Sequence, residues 1–225
     1  ETYDGDISKS GGIFDPRMGT LDHGKVCPTD ELNNRHCPGY FGHLELAMPV
    51  FYIHFQKWII KILQITCPKC SKLYMDASRD EIKKLINIKN KEKRFIAVHK
   101  LCMVSKKRRC GEKCENGCGA VYPNTIKKDP NSIAKLCAIW KQKGDRQNDM
   151  ILIWNASDVY KIFKCMTDAD INVIGFDNQF SHPSWLICNV LPIAPPYVRP
   201  SVRSDNNTRM EDDLTHKYCD IIKTN

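Results

Sequence analysis

The residues best equipped for chemistry in this chain are its cysteines, twelve in 225 residues. Cys67-Pro68-Lys69-Cys70 is a two-thiol knuckle. Two intervening residues let both sulfurs face one ion, and a structural zinc needs four such ligands in a tetrahedron. The second pair must come from Cys110, Cys114 and Cys118, either Cys110 with Cys118 or Cys114 with Cys118. Four thiolates in a reducing compartment select zinc. A chance set of reduced thiols is the plain alternative. A thioredoxin-like redox pair fits less well, because such a pair opens a helix whereas this one precedes a strand-like run. An earlier cluster holds Cys27, Asp30, His36, Cys37 and His43 in a turn-rich segment. Cys27 and Cys37 with Asp or His form a degenerate second site. Asp30 and Tyr40 occupy its companion positions, and tyrosine is a poor structural ligand. The alternative there is two small buried cysteines and a hydrogen-bonded His43.

Other chemistry is absent from the pattern. There is no GxSxG, P-loop or HExxH motif, and no triple-Asp loop of the kind that holds magnesium for nucleotidyl transfer. Asp168–Asp170 and Glu211–Asp213 fall where helices start, and read as caps and first-turn acids that complement the dipole. Asp4-Gly5-Asp6 reads as a plain turn. No catalytic residue is expected in this segment, and no small-molecule substrate. The formal charge is +8, and it is concentrated. From Ile82 to Arg109 eleven lysines and arginines face one acid, Glu92. Such a surface favours a polyanion through counterion release. Lys106, Lys107, Arg108 and Arg109 are its densest run and are read as closest to nucleic acid. A solvated Lys-rich helix face is the alternative.

These residues must be positioned by an ordinary folded chain. The hydrophobic fraction is 42% and the charged fraction 27%, which excludes wholesale disorder. The longest apolar stretch, 48–65, is broken by His54, Gln56, Lys57 and Lys61, so no membrane partner is expected. Cys137, Cys165 and Cys188 sit inside apolar runs, as small core residues in an intracellular, reducing compartment do. Residue 1 is Glu, and no signal-peptide pattern opens the chain, so a processed product or a piece of a longer protein is expected.

Residues 1–43 read as extended, turn-rich chain. Pro49 reads as the first turn of a buried helix over 50–64, with Ile53, Trp58, Ile59, Ile62 and Leu63 at helical spacing. A short strand over 71–75 follows the knuckle. Ser78 with Glu81 suggests a capping box for a helix over 78–87, and 93–104 is a second helix. Strands are expected over 121–127, 133–141 and 150–154, with a polar turn over 142–148. Ser157 and Thr167 are expected to cap helices ending near Met166 and Gly175. Residues 191–200 read as extended because of their prolines, and 211–223 as the start of a helix.

The order of motifs then identifies a family. Gly11-Gly12-Ile13-Phe14-Asp15-Pro16-Arg17-Met18-Gly19-Thr20 and the stretch Cys37-Pro38-Gly39-Tyr40-Phe41-Gly42-His43 through Phe51 resemble the start of the largest subunit of multisubunit DNA-directed RNA polymerases. The resemblance continues through the Cys67 knuckle, Asn116-Gly117-Cys118-Gly119 and Phe180-Ser181-His182-Pro183-Ser184-Trp185. It ends with Leu191 to Ser201 and Glu211 to Lys217, and so covers 11–225.

The resemblance implies an α+β fold, the irregular zinc-stabilised clamp core and clamp head of that subunit. The expected divisions are clamp core over 1–75, clamp head over 76–190, and a return to the core over 191–225. The implied function is closure over the DNA cleft during transcription, within a nucleotidyltransferase whose magnesium site lies outside this segment. Implied partners are the other polymerase subunits, especially the second-largest, with the DNA template and the RNA–DNA hybrid. One structural zinc is implied at Cys67, Cys70, Cys110 and Cys118, with Cys114 as the alternative to Cys110. The family's other zinc pattern falls here on Cys27, Asp30, Cys37 and Tyr40, where two of four ligands are gone. Hydrogen bonds and packing of Tyr40 and Phe41 are then expected to hold that turn. This loss looks like the versions carried by giant DNA viruses, which implies a virion or host cytoplasm, and the nucleus otherwise. A stand-alone zinc-ribbon module derived from a clamp, binding nucleic acid or protein, is the alternative function.

Overall fold

The computed structural model describes residues 3–4, 7–75, 79–104, 109–111, 117–141, 149–203 and 209–225. Along the chain lie β1 (Tyr3–Asp4), β2 (Ile7–Ser8), β3 (Gly42–Phe51), α1 (Gln56–Leu63), α2 (Arg79–Ile86) and α3 (Lys91–Val104). Then come β4 (Thr125–Lys128), β5 (Lys135–Trp140), β6 (Met150–Asn155), α4 (Ala156–Lys164) and α5 (Asp168–Val173). The last are β7 (Ile187–Ile193), β8 (Val202–Arg203), β9 (Arg209–Met210) and α6 (Asp213–Thr224). This mixture is an α+β fold. None of the described helices is long and apolar enough to cross a membrane.

The chain forms two compact units, one of residues 1–47 with 189–225 and one of residues 48–188. In the first, β1 pairs with β2 and β8 with β9, both antiparallel, and the two-stranded sheet of β3 and β7 lies only in part within it. Its core is small: Ile13, Phe14, Met18, Ile193, Ala194 and Tyr218. Arg199 is fully buried among them, with its guanidinium over the rings of Phe14 and Tyr218 at 4.8 and 5.7 Å. Its Nε donates to the Ala194 carbonyl at 2.8 Å, and Nη2 donates to the carbonyl of Ile13. The polar head thus replaces hydrogen bonds that burial would remove.

The second unit carries the large core. Ile59, Ile62 and Leu63 of α1, Phe95 and Val98 of α3, and Val159 and Phe163 of α4 meet Leu136, Ala138 and Trp154 of an antiparallel β4-β5-β6 sheet. Leu136 pairs with Trp154 and Ile126 with Ala138.

Several element boundaries differ from the sequence expectation, for physical reasons. Pro49 does not open a helix. It lies inside β3, in a two-stranded sheet, where a missing amide is tolerated. Tyr52 is extended, a 3₁₀ turn covers Ile53–Phe55, and α1 begins only at Gln56. Ile53 is correspondingly exposed. Over 71–75 only one bridge forms, Leu73 with Thr66, and no strand. The Asp158 carboxylate accepts from the Asn155 amide at 3.1 Å, so α4 is capped at Asn155 rather than Ser157. Thr167 does cap α5, accepting from Asp170 N at 3.3 Å, and Asp212 caps α6. Ser78 and the turn over 142–148 lie outside the described residues.

Candidate metal centre

Cys67, Cys70, Cys110 and Cys118 come together, with all four Sγ atoms within 4.8 Å of one another. The closest pairs are Cys67 with Cys118 and Cys70 with Cys110, each at 3.5 Å. A tetrahedron with bonds of about 2.3 Å to zinc has sulfurs roughly 3.8 Å apart, and the observed range brackets that value. Cys114 lies outside the described residues, as do Lys106, Lys107 and Arg108.

Local backbone geometry aims each thiol. The first pair sits in a tight turn directly after α1. Ser71 N donates to Cys67 O at 2.9 Å, and Cys67 N donates to Lys72 O at 2.8 Å. Closing that turn requires a left-handed residue, and Ser71 takes φ 60°. The second pair is held by Cys110 N on Ala120 O and Gly119 N on Cys110 O, both at 2.9 Å. Here the loop folds so tightly that a Cβ on Gly117 would collide with the backbone of Cys110 and Gly111. Only glycine fits there, which explains Gly117 in steric terms.

The centre is half in the interior. Cys67 and Cys110 are buried, and Cys70 and Cys118 are partly exposed. The rings of Tyr74 and Tyr122 wall it, edge to face with centroids 4.6 Å apart. Burial pushes the Cys67 thiol up. The Tyr74 hydroxyl, the amides of Cys70 and Lys69 and the Cys118 thiol outweigh that and bring it down to about 7. Burial pushes Cys110 up, and Cys70 as well. The Tyr74 hydroxyl is buried beside Cys67 and makes no full hydrogen bond to it as a neutral thiol. A thiolate at Cys67 is the acceptor it lacks, so the donor set and its surroundings fit a cation that deprotonates the cysteines. Sequence reasoning missed Tyr74 and Ser71. Neither carries a motif signal, since their roles arise from packing and φ alone.

Of the five residues in the earlier cluster, Cys27, Asp30 and Cys37 are brought together, with ligand atoms within 4.8 Å. His36 instead pairs with Asn33 Oδ1 at 2.8 Å, and His43 is exposed on β3. Tyr40 donates to Asp30 Oδ2 at 3.0 Å, as a turn held by hydrogen bonds requires. Phe41, expected to pack there, is 72% exposed instead.

The basic segment falls on α2 and α3 and the turns beside them. Lys83, Lys84, Lys89, Lys91, Lys93 and Lys100 are exposed. Arg94 is spent internally, donating to the carbonyls of Ile88 and Asn172. Arg109 is exposed, and its backbone forms a bridge with Val121 next to Cys110.

Comparison with known proteins gives these features a family. A profile described as RNA polymerase Rpb1, domain 1, matches residues 1–225. The chain is also 37% identical, over 227 residues, to the DNA-directed RNA polymerase II subunit RPB1 of Euplotoides octocarinatus. That alignment covers 99% of this chain and 47% of the relative, so the chain spans about half the length of the curated relative it matches. With a family profile matched from its first residue to its last, the chain belongs to the family of RNA polymerase Rpb1, domain 1.

Proposed function

We propose that this chain is the clamp segment of the largest subunit of a DNA-directed RNA polymerase, and that it closes over the nucleic acid during transcription. The observation that carries this reading is the family match over the whole of residues 1–225. In this reading one zinc is held by Cys67, Cys70, Cys110 and Cys118. Bound there, it cross-links the end of α1 to the loop before β4 and supplies folding energy to that region. The protein's own part is to present four thiols, bury two of them, and offer the Tyr74 hydroxyl to the Cys67 sulfur. The exposed lysines of α2 and α3, with Lys106, Lys107, Arg108 and Arg109, give the segment a field that attracts phosphates without reading sequence. Catalysis and its magnesium belong to other parts of the assembly.

The test is the native assembly. The polypeptide carrying this chain, purified through an affinity tag, is expected to bring down a second large subunit and to make RNA on a DNA template. A lone polypeptide with no template-dependent synthesis overturns the reading and leaves a zinc-ribbon binding module in its place.

A further inference from the structure

The chain contains the same backbone turn twice, and the two copies differ at one ligand position. In the Cys27 turn, Glu31 N donates to Cys27 O at 2.8 Å, and Cys27 N donates to Leu32 O at 2.9 Å. The Cys67 turn makes the same two bonds, from Ser71 and to Lys72. Glu31 takes φ 58° and Ser71 takes φ 60°. Each turn is flanked by a single antiparallel bridge, Val26 with Asn33 and Thr66 with Leu73. Cys27-Pro28-Thr29-Asp30 thus superposes in role on Cys67-Pro68-Lys69-Cys70, and Asp30 stands where Cys70 stands.

We infer that the Cys27 turn is a knuckle closed around an anion rather than a cation: the Asp30 carboxylate is its centre, hydrogen donors surround it, and no structural zinc is held there. Both carboxylate oxygens are in use. Oδ1 accepts from Leu32 N at 2.9 Å and Oδ2 accepts from Tyr40 Oη at 3.0 Å. The sulfurs of Cys37 and Cys27 lie within 4.8 Å of this carboxylate. Cys27 Sγ lies 3.9 Å from the Arg17 carbonyl as well. In a zinc knuckle four lone pairs converge on a positive ion. Here two donors, Leu32 N and Tyr40 Oη, converge on a negative group with two thiols beside it, and the cross-link is made with opposite sign.

The fourth corner is what excludes the ion. Two thiols and a carboxylate need one more ligand, and the group at that corner is a phenol already committed as a donor. The Tyr40 backbone is held in place, its N–H donating to Met18 O at 3.0 Å. It follows Gly39, whose φ is 81° and where a Cβ would lie 2.9 Å from the Tyr197 ring. The Tyr197 hydroxyl in turn shares its hydrogen between Thr20 O at 2.7 Å and Asn34 O at 3.1 Å, residues on either side of the turn.

The experiment counts zinc per molecule of the intact protein, as differences between variants, so that ions elsewhere cancel. Cys27→Ser with Cys37→Ser is expected to leave the count unchanged, and a drop of one overturns the inference. Tyr40→Phe, a milder change, is expected to lower the denaturation midpoint with the count unchanged. A midpoint unmoved by Tyr40→Phe overturns the carboxylate–phenol closure, and a changed count overturns it too. Asp30→Cys with Tyr40→His keeps the backbone turn and supplies three thiols and an imidazole. It is expected to gain one zinc, and no gain in the folded variant overturns the equivalence of the two turns. Cys67→Ser with Cys70→Ser reports on the four-thiol centre alone, so failure of that reading is seen separately.

Discussion

Asp15 illustrates how much one side chain organises in the first unit. Its carboxylate accepts from Gly11 N at 2.6 Å and from Arg17 N at 2.9 Å, and the Arg17 guanidinium grips it through Nε at 3.0 Å and Nη2 at 2.6 Å. It thereby caps the 3₁₀ turn Pro16–Met18 and fixes the approach of Gly11. The Arg17 hydrogen bond is the largest influence, and it outweighs burial to hold the Asp15 carboxyl down from 3.8 to about 2. A folded-state value below the unfolded one means stability that is full above about pH 4 and is lost as pH falls toward 2. The shift corresponds to about 2 kcal/mol at most, and nearer 1 kcal/mol in physiological salt because Arg17 is 66% exposed. Asp15→Asn is therefore expected to melt at lower denaturant than wild type at pH 6, with the gap closing between pH 4 and pH 2. A gap that stays constant with pH counts against it. The motif that contains Asp15 was visible in the sequence. Its reason, a carboxylate read by four donors, was not, because partners two and four residues away converge only after the turn closes.

At the scale of elements, regular periodicity was legible and its ends were not. The Cys67–Cys70 knuckle and its need for a second pair emerged from spacing because a metal site imposes spacing on the chain, while the choice of Cys110 over Cys114 came from the resemblance. The Thr167 and Asp212 caps emerged because a cap is a local hydrogen bond. The β3 strand did not, although Leu44 and Leu46 alternate with exposed His43, Glu45 and Ala47. Pro49 masked it, since proline is read as a helix start more readily than as a residue of a two-stranded sheet. The equivalence of the two cysteine turns was not read from the sequence, where Cys-Pro occurs at 27, 37 and 67. The left-handed residue at the fifth position of each turn is a backbone property with no composition signal, because the residues there are Glu31 and Ser71 rather than glycine. A non-glycine residue there carries strain of about 1 kcal/mol. Glu31 is exposed, so its side chain contributes little packing. Glu31→Gly is accordingly expected to raise unfolding stability by about 0.5 kcal/mol, the relieved strain less the extra freedom of the unfolded glycine. Glu31→Val should lower it by more than 1 kcal/mol. Urea titrations of the two variants would check the opposite signs, and equal effects would show that this φ is relaxed in solution.

For the molecule as a whole, the informative feature is how the chain is shared between its two units. The sequence reading divides it near residues 75 and 190, where the cysteine motifs and prolines fall, whereas the compact units divide at 47 and 188. The difference is α1 and the Cys67 knuckle, whose apolar side, Ile59, Ile62 and Leu63, packs with Phe95 and Phe163. No spacing rule reveals that allegiance, which depends on contacts between residues far apart in sequence. The consequence is asymmetric. The unit of residues 48–188 is one continuous stretch holding the whole large core and all four thiols. The other is assembled from two distant stretches, and its core joins Ile13, Phe14 and Met18 from one to Ile193, Ala194 and Tyr218 from the other. Neither stretch buries enough apolar surface by itself to offset its chain entropy. Expressed alone, residues 48–188 are expected to unfold in one cooperative transition and to bind one zinc, with chelation lowering the midpoint. Residues 1–47 and 189–225 should each lack a transition separately and acquire one when joined by a flexible linker. A fragment 48–188 that stays unfolded with zinc present would mean that the large core depends on the chain outside it.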